Sequence, residues 1–359
     1  MSGRSLEFVV PGDLQTATGG YHYDRRIIDG LRSRGWLVTV HALDASFPFP
    51  TASAMEHARG VLAAMDDGAL VLVDGLAFGA MPCVVEPHSE RLSLVALVHH
   101  PLAAESGLTA GVARELERSE RQALGSARHV IVTSRNTRQA LSAYGVAAER
   151  VTVVEPGTDE APLAGGTRAL RRGVAASVLK MLCVASVAPR KGHDVLIEAL
   201  SPLAKLPWHL TCVGSITRDP STASALRARL RQAGLLGRVT LAGEVADHQV
   251  TDYYQAASLF VLPTLYEGYG MAVAEALAHG LPVISTHTGA ISELVGPGAG
   301  LLVPPGDVQA LREALSRVMC EPALLASLAH GARAARSSLP RWPDACERMA
   351  LALEQAAHR

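Results

Sequence analysis

Short apolar runs rich in valine, separated by longer amphipathic stretches, recur along the chain in two series. In the first half they are residues 6–10 (LEFVV), 36–40 (WLVTV), 69–74 (ALVLVD), 93–100 (SLVALVHH), 129–134 (HVIVTS) and 151–157 (VTVVEPG). Continuous apolar runs of this length, bounded by turn residues, read as strands buried on both faces. The stretch after the first run carries Ile27, Ile28 and Leu31 on one side, the pattern of an amphipathic helix. Residues 159–177 (DEAPLAGGTRALRRGVAAS) break the rhythm with Pro and Gly and no period, and are predicted to be the linker. The pattern resumes at 180–187 (KMLCVASV), 208–215 (WHLTCVGS), 238–245 (RVTLAGEV), 258–264 (SLFVLPT), 281–286 (LPVIST) and 300–307 (GLLVPPGD).

Strands alternating with helices predict an α/β chain of two Rossmann-like, doubly wound domains. The expected boundaries are 1–165 and 166–340, with 341–359 as a closing helix able to pack back on the first domain. At 359 residues the chain is long enough for two such cores. In sheets of this kind ligands bind beyond the carboxyl ends of the strands.

Composition narrows the function classes. No apolar run reaches the roughly 20 residues of a membrane span, and the N-terminus lacks the apolar core of a signal peptide, so a cytoplasmic protein is expected. Cys83, Cys183, Cys212, Cys320 and Cys346 are scattered without a CxxC or Cys/His cluster, and read as buried small hydrophobes rather than a disulfide framework or zinc site. Residues 1–165 hold 14 Arg and no Lys against 19 acidic residues, a balance of −5; the remainder holds 19 basic against 15 acidic, a balance of +4. Aromatics make up only 4% and form no basic stripe, which excludes nucleic acid as the expected partner. The basic half is the candidate host for a small phosphorylated ligand, although +4 is also what a solvated surface can carry.

The strand ends carry the candidate chemistry. After the first strand, Gly19 and Gly20 open a helix, serving either a turn or the approach of a ligand to helix amides. The fourth run ends in His99, His100 and Pro101, which places a histidine at a strand's carboxyl end as a site residue or a packed one. Arg190, Lys191 and Gly192 lie between a strand and a helix. The chain has only three lysines (Lys180, Lys191 and Lys205), and two adjacent cations at a helix start oppose its dipole unless an anion joins them. In 262–286 (LPTLYEGYGMAVAEALAHGLPVIST), Glu267 precedes a glycine turn and Glu275 lies in the helix that follows, ended by Gly280. The amides of Gly268, Tyr269, Gly270 and Met271 suit phosphate or sugar oxygens, and carboxylates suit vicinal hydroxyls. Taken singly, each glutamate reads equally as a solvated loop residue or a helix partner.

Together, Glu267-x7-Glu275, the PRKG turn, GEV at 243–245 and the N-terminal Gly pair resemble the retaining, family 4 type nucleotide-sugar glycosyltransferases of the GT-B fold. The resemblance covers nearly the whole chain and is most specific over 262–307. It implies two domains facing across a cleft, a UDP- or GDP-linked sugar as donor, no cofactor and no bound metal. It also implies that Arg190 and Lys191 hold the diphosphate, Glu267 the donor sugar and Glu275 the ribose. Gly243, Glu244 and Val245 then lie by the base, Gly19 and Gly20 near phosphate and acceptor, and His99 near the reacting centre. One departure stands out: where the family commonly has an arginine five positions before the lysine, this chain has Ser186. The absence of any DxD sequence agrees with metal-free chemistry.

Two other readings share these residues: a nucleotide-sugar epimerase or phosphorylase on the same architecture, and a non-catalytic nucleotide-sugar-binding subunit. The first domain's charge of −5, with Arg25, Arg26, Arg32 and Arg34 interleaved with Asp24 and Asp29, favours a small or soluble hydroxyl acceptor over a lipid one. The sequence specifies neither the acceptor nor the oligomeric state.

Overall fold

The computed structural model describes residues 4–105, 107–166 and 178–358. Residues 167–177 of the expected linker therefore lie outside the described residues. Contacts divide the chain into an N-terminal unit, residues 1–157 with 340–359, and a C-terminal unit, residues 158–339.

The N-terminal unit is built on a six-stranded parallel sheet of β1 (Ser5–Pro11), β2 (Leu37–Leu43), β3 (Leu70–Asp74), β4 (Ser93–Val98), β5 (His129–Val132) and β6 (Val151–Val153). Their order is β2-β1-β3-β4-β5-β6. Every residue of β3, β4 and β5 is buried, as expected of strands covered on both faces. The closing helix Trp342–His358 belongs to this unit and lies against the helix Gly19–Arg32. A Cβ at Gly30 would fall 2.1 Å from Cys346 Sγ, so glycine is what allows the two helices to approach there.

The C-terminal unit repeats the plan with β7 (Leu179–Val184), β8 (Trp208–Val213), β9 (Val239–Gly243), β10 (Leu259–Leu262), β11 (Val283–Thr286) and β12 (Gly300–Val303). All pair in parallel in the order β12-β11-β10-β7-β8-β9. In both sheets the order reverses once, between β1 and β3 and between β7 and β10. Ligand sites of open α/β sheets form at such reversals, beyond the strand carboxyl ends.

The cysteines depart from the sequence reading. Cys83 and Cys320 are exposed. Cys183 and Cys212, which are direct register partners on β7 and β8, meet His193 in a buried cluster whose ligand-type atoms lie within 4.8 Å of one another. Linear spacing hid this Cys/His group because its members come from three separate elements.

Candidate functional site

In the C-terminal unit β7 runs into the turn Pro189–Lys191, and Gly192 then adopts φ +66° before the helix His193–Leu200. A Cβ at Gly192 would fall 2.1 Å from the Pro263 carbonyl oxygen, so both conformation and space require glycine. The neighbouring strand β10 leads into the segment that holds this turn. Thr264 Oγ1 donates to the Arg190 carbonyl at 2.9 Å, Leu265 N donates to the same carbonyl at 2.7 Å, and the Arg190 guanidinium donates to the Tyr266 carbonyl at 3.1 Å.

These bonds bring three charges together. Lys191 Nζ lies 2.5 Å from Glu267 Oε2, and Arg190 approaches Glu267 Oε1 at 3.7 Å, with all three side chains between 15% and 18% exposed. Two cations share one carboxylate. The helices that start here contribute as well. Both His193–Leu200 and Met271–Ala278 have a left-handed glycine as N-cap, Gly192 and Gly270, and neither has a side-chain cap. Their first-turn amides are therefore not engaged by a capping side chain and suit an anion. Gly268, Tyr269 and Gly270 are buried and Met271 is partly exposed, so the predicted amide cradle coincides with a helix start.

Glu275 lies farther along the same helix. The Tyr254 hydroxyl donates to Glu275 Oε2 at 2.9 Å, and the Tyr254 ring stacks on His279 at 5.0 Å between centroids. Burial raises the Glu275 carboxyl to about 7, against the lowering pull of the Tyr254 hydrogen bond, with Asp159 and Asp247 adding to the rise. Gly243 ends β9 at φ +76°, Glu244 is exposed, and Val245 is half-buried against the core. At Ser186, where the resemblance leads one to expect a cation, Arg218, after β8, donates to Ser186 Oγ at 3.3 Å.

Two contributors escaped the sequence reading. Tyr254 orients Glu275 from a helix 21 positions earlier, a separation that leaves no local motif. Gly289, at φ +56°, lies where a Cβ would be 1.7 Å from the Glu267 carbonyl oxygen, so it is the backing on which the Glu267 loop rests. Its only sequence signal is a glycine shortly after β11.

In the N-terminal unit a second group forms beyond β1, β3 and β4. Thr18 caps the helix Gly19–Arg32, its hydroxyl accepting from Tyr21 N at 3.1 Å. A Cβ at Gly20 would sit 3.6 Å from the His99 ring. One helical turn on is Asp24, which is not the surface neutraliser of neighbouring arginines suggested by its sequence context: it is fully buried. His99 Nε2 lies 3.4 Å from both Asp24 Oδ1 and Asp74 Oδ2. Burial alone would lower the His99 ring, but the two carboxylates outweigh it and lift the ring to about 10. His100 instead faces Glu105, at 3.5 Å.

Comparison with known proteins matches this arrangement to one family. Residues 22–161 match the family described as Glycosyltransferase Family 4, and residues 179–321 match Glycosyl transferases group 1. The lipopolysaccharide core biosynthesis mannosyltransferase LpsB of Rhizobium meliloti (strain 1021) is 36% identical over 159 residues, 42% of this chain and 44% of that protein. The chain spans about half the length of the curated relatives it matches. Among solved structures, sucrose-phosphate synthase from Thermosynechococcus elongatus superposes with a TM-score of 0.80 at 22% identity, covering 98% of each chain. HepE of Anabaena, in complex with UDP and glucose, superposes with a TM-score of 0.75 at 19% identity over 97% of this chain and 99% of that one. These structures establish a shared GT-B fold, and with family matches in both units the chain belongs to the group 1, family 4 type glycosyltransferases.

Proposed function

We propose that the protein transfers a sugar from a nucleoside diphosphate sugar to a hydroxyl acceptor, with retention at the anomeric carbon and without a metal ion. The observation that carries this reading is the pairing of Arg190 and Lys191 with Glu267 beside two glycine-capped helix starts. A diphosphate leaving group gains negative charge as the glycosidic bond breaks, and fixed cations and amides stabilise that charge without reorganising. Arg218, at Ser186, is assigned as a further cation for the phosphates. HepE, a protein of the same fold whose structure holds UDP and glucose, supports a nucleotide-linked donor.

In this assignment Glu267 accepts from hydroxyls of the donor sugar and Glu275 from the ribose. The segment Gly243, Glu244 and Val245 lies by the base, and His99 meets the sugar being transferred. The acceptor hydroxyl attacks the face from which the diphosphate departs, and a phosphate oxygen takes its proton. No protein nucleophile is required. The charge balance of the N-terminal half supports a small or soluble acceptor.

The test begins with a thermal-shift screen of UDP- and GDP-linked sugars, followed by mass spectrometry of products formed with pooled acceptors in EDTA. Glycosylated product in EDTA is the expected result. Turnover only on adding a divalent ion overturns the metal-free part of the proposal. Conversion of donor without acceptor, or with phosphate as co-substrate, would identify the epimerase or phosphorylase instead.

A further inference from the structure

Asp24 is completely buried, and neither of its carboxylate oxygens accepts a hydrogen bond within the described structure. A lone carboxylate in that position is costly unless it is neutralised. Its near neighbour is His99 Nε2, which has Asp74 at the same 3.4 Å on its other side. Asp74 is itself fixed, because its Oδ1 accepts from Leu76 N at 2.8 Å at the start of a short helix, leaving Oδ2 for the imidazole. Gly20 lies beside the ring, and Asp24, four residues along the same helix, presents its carboxylate to it. Tyr23 meets the ring edge-on, with centroids 5.4 Å apart, and Thr133 and Thr137 donate to the His99 carbonyl at 3.1 and 3.2 Å.

We propose that Asp24 and Asp74 are positioning residues that clamp His99 at Nε2 and keep its ring doubly protonated, so that His99 presents a fixed cationic Nδ1–H donor and not a proton acceptor. The clamp stands on the N-terminal unit alone; its use in sugar transfer rests on the assignment of His99 to the transferred sugar. A protonated ring between two carboxylates leaves the trio with a single negative charge, whereas a neutral ring leaves two buried carboxylates facing each other. A general-base role for His99 is thereby excluded, in keeping with the proposed mechanism in which the phosphate takes the acceptor's proton.

The groups that bear on this titration come from every element around the ring. The helix Gly19–Arg32 contributes Asp24, Tyr23 and Arg25, the end of β3 contributes Asp74, and the closing helix contributes Arg348 and Cys346, which act on Tyr23. Among the described residues, the two aspartates are the charged groups that meet Nε2 directly.

The test is a pH series of nitrogen NMR spectra on the full chain labelled at histidine, with the His99 signals assigned by their loss in His99→Gln. Wild-type His99 is expected to keep imidazolium shifts through pH 9. Asp24→Asn and Asp74→Asn should each weaken its proton affinity at least tenfold, moving the transition down by one pH unit or more. Turnover should follow, its alkaline limb moving to lower pH by the same amount while the donor KM stays unchanged, a split that general loss of packing does not produce. Titration of wild-type His99 between pH 6 and 7 overturns the clamp, and that result does not depend on either Asn variant folding. So does retention of the imidazolium to pH 9 in both Asn variants, or capture of the trio by added Zn2+ at neutral pH. If the clamp is present but turnover is indifferent to it, the clamp stands and the assignment of His99 to the sugar falls.

Discussion

The two units solve opposite electrostatic problems with similar parts. In the N-terminal unit one imidazole lies between two fully buried carboxylates, and the helix beside it is capped by its own Thr18. In the C-terminal unit two partly exposed cations share one carboxylate, and both adjacent helices start at glycine without a side-chain cap. The first group pairs its charges with one another in a buried setting, Nε2 of His99 lying 3.4 Å from each carboxylate. The second gathers two cations, one carboxylate and amides with no capping side chain, the arrangement on which the proposed diphosphate site rests. Similar strand ends in similar sheets thus carry a buried histidine–aspartate group in one unit and a partly exposed cationic turn in the other.

The largest expected effect comes from removing the backing of the Glu267 loop. Gly289→Ala adds a Cβ 1.7 Å from the Glu267 carbonyl at a left-handed φ of +56°, so the Glu267 loop must move. The left-handed strain alone is about 1–2 kcal/mol, and with the overlap a loss of nucleotide-sugar turnover of about a hundredfold or more is expected. Gly35→Ala is the control: its φ is +82°, but no atom lies within 4 Å of the added Cβ, so it should lower the melting temperature slightly and leave turnover intact. Equal losses in the two variants would show that strain, not displacement of Glu267, governs the effect.

Next in size is Lys191→Ala. A charge-assisted contact to phosphate contributes about 1.5–3 kcal/mol, so UDP or GDP binding should weaken tenfold or more by calorimetry. Unchanged affinity in a folded variant would remove Lys191 from the diphosphate site.

Within the C-terminal unit the two glutamates should separate. Glu267→Gln is expected to lower turnover more than nucleotide affinity, and Glu275→Gln to lower affinity for the free nucleotide more than turnover. Because the Glu275 carboxyl lies at about 7, the form that accepts ribose hydroxyls is gained as pH rises through neutrality. Nucleotide affinity should therefore climb severalfold between pH 6 and 8, and Glu275→Gln should flatten that climb.

The same shifts predict smaller changes in stability. Glu275 is raised above its ordinary carboxyl value, so the folded state binds its proton more tightly and stability falls as pH rises from about 4.5 to about 7. His99 is raised as well, so its contribution is fully present below about 6.5 and is lost as pH rises through about 10. Urea titrations across this range should lose the first component in Glu275→Gln and the second in His99→Gln. The least effect is expected from anionic vesicles: with a charge of −5 over residues 1–165, co-sedimentation at low salt should be slight. Substantial pelleting that salt reverses would turn the acceptor proposal toward lipid.

All twelve strands were legible in the sequence as short apolar runs; for the central ones burial on both faces forces continuous runs such as residues 70–73 and 94–98, and that signal is local. Strand ends shifted by a few residues: the run predicted at 151–157 pairs only over Val151–Val153, since the proline and glycine at its end leave the ladder. The positions of Arg190, Lys191 and Glu267 in turns before helix starts, and of Glu275 inside the following helix, were legible too; the ion pairs of Glu267 with Arg190 and Lys191 were not. Asp24 was misread because its neighbours in sequence are exposed or half-exposed arginines, and only the packing of its helix turns it toward His99. Tyr254, Gly289 and the Cys183, Cys212 and His193 group were invisible for a related reason. Each depends on atoms brought together from distant segments, and no linear spacing encodes that proximity. By itself the sequence determined the alternation of elements, the two sheets and the residue types at their strand ends. Tertiary structure alone decided which of those charges are buried against one another and which stay partly exposed, because desolvation and pairing are properties of neighbours in space.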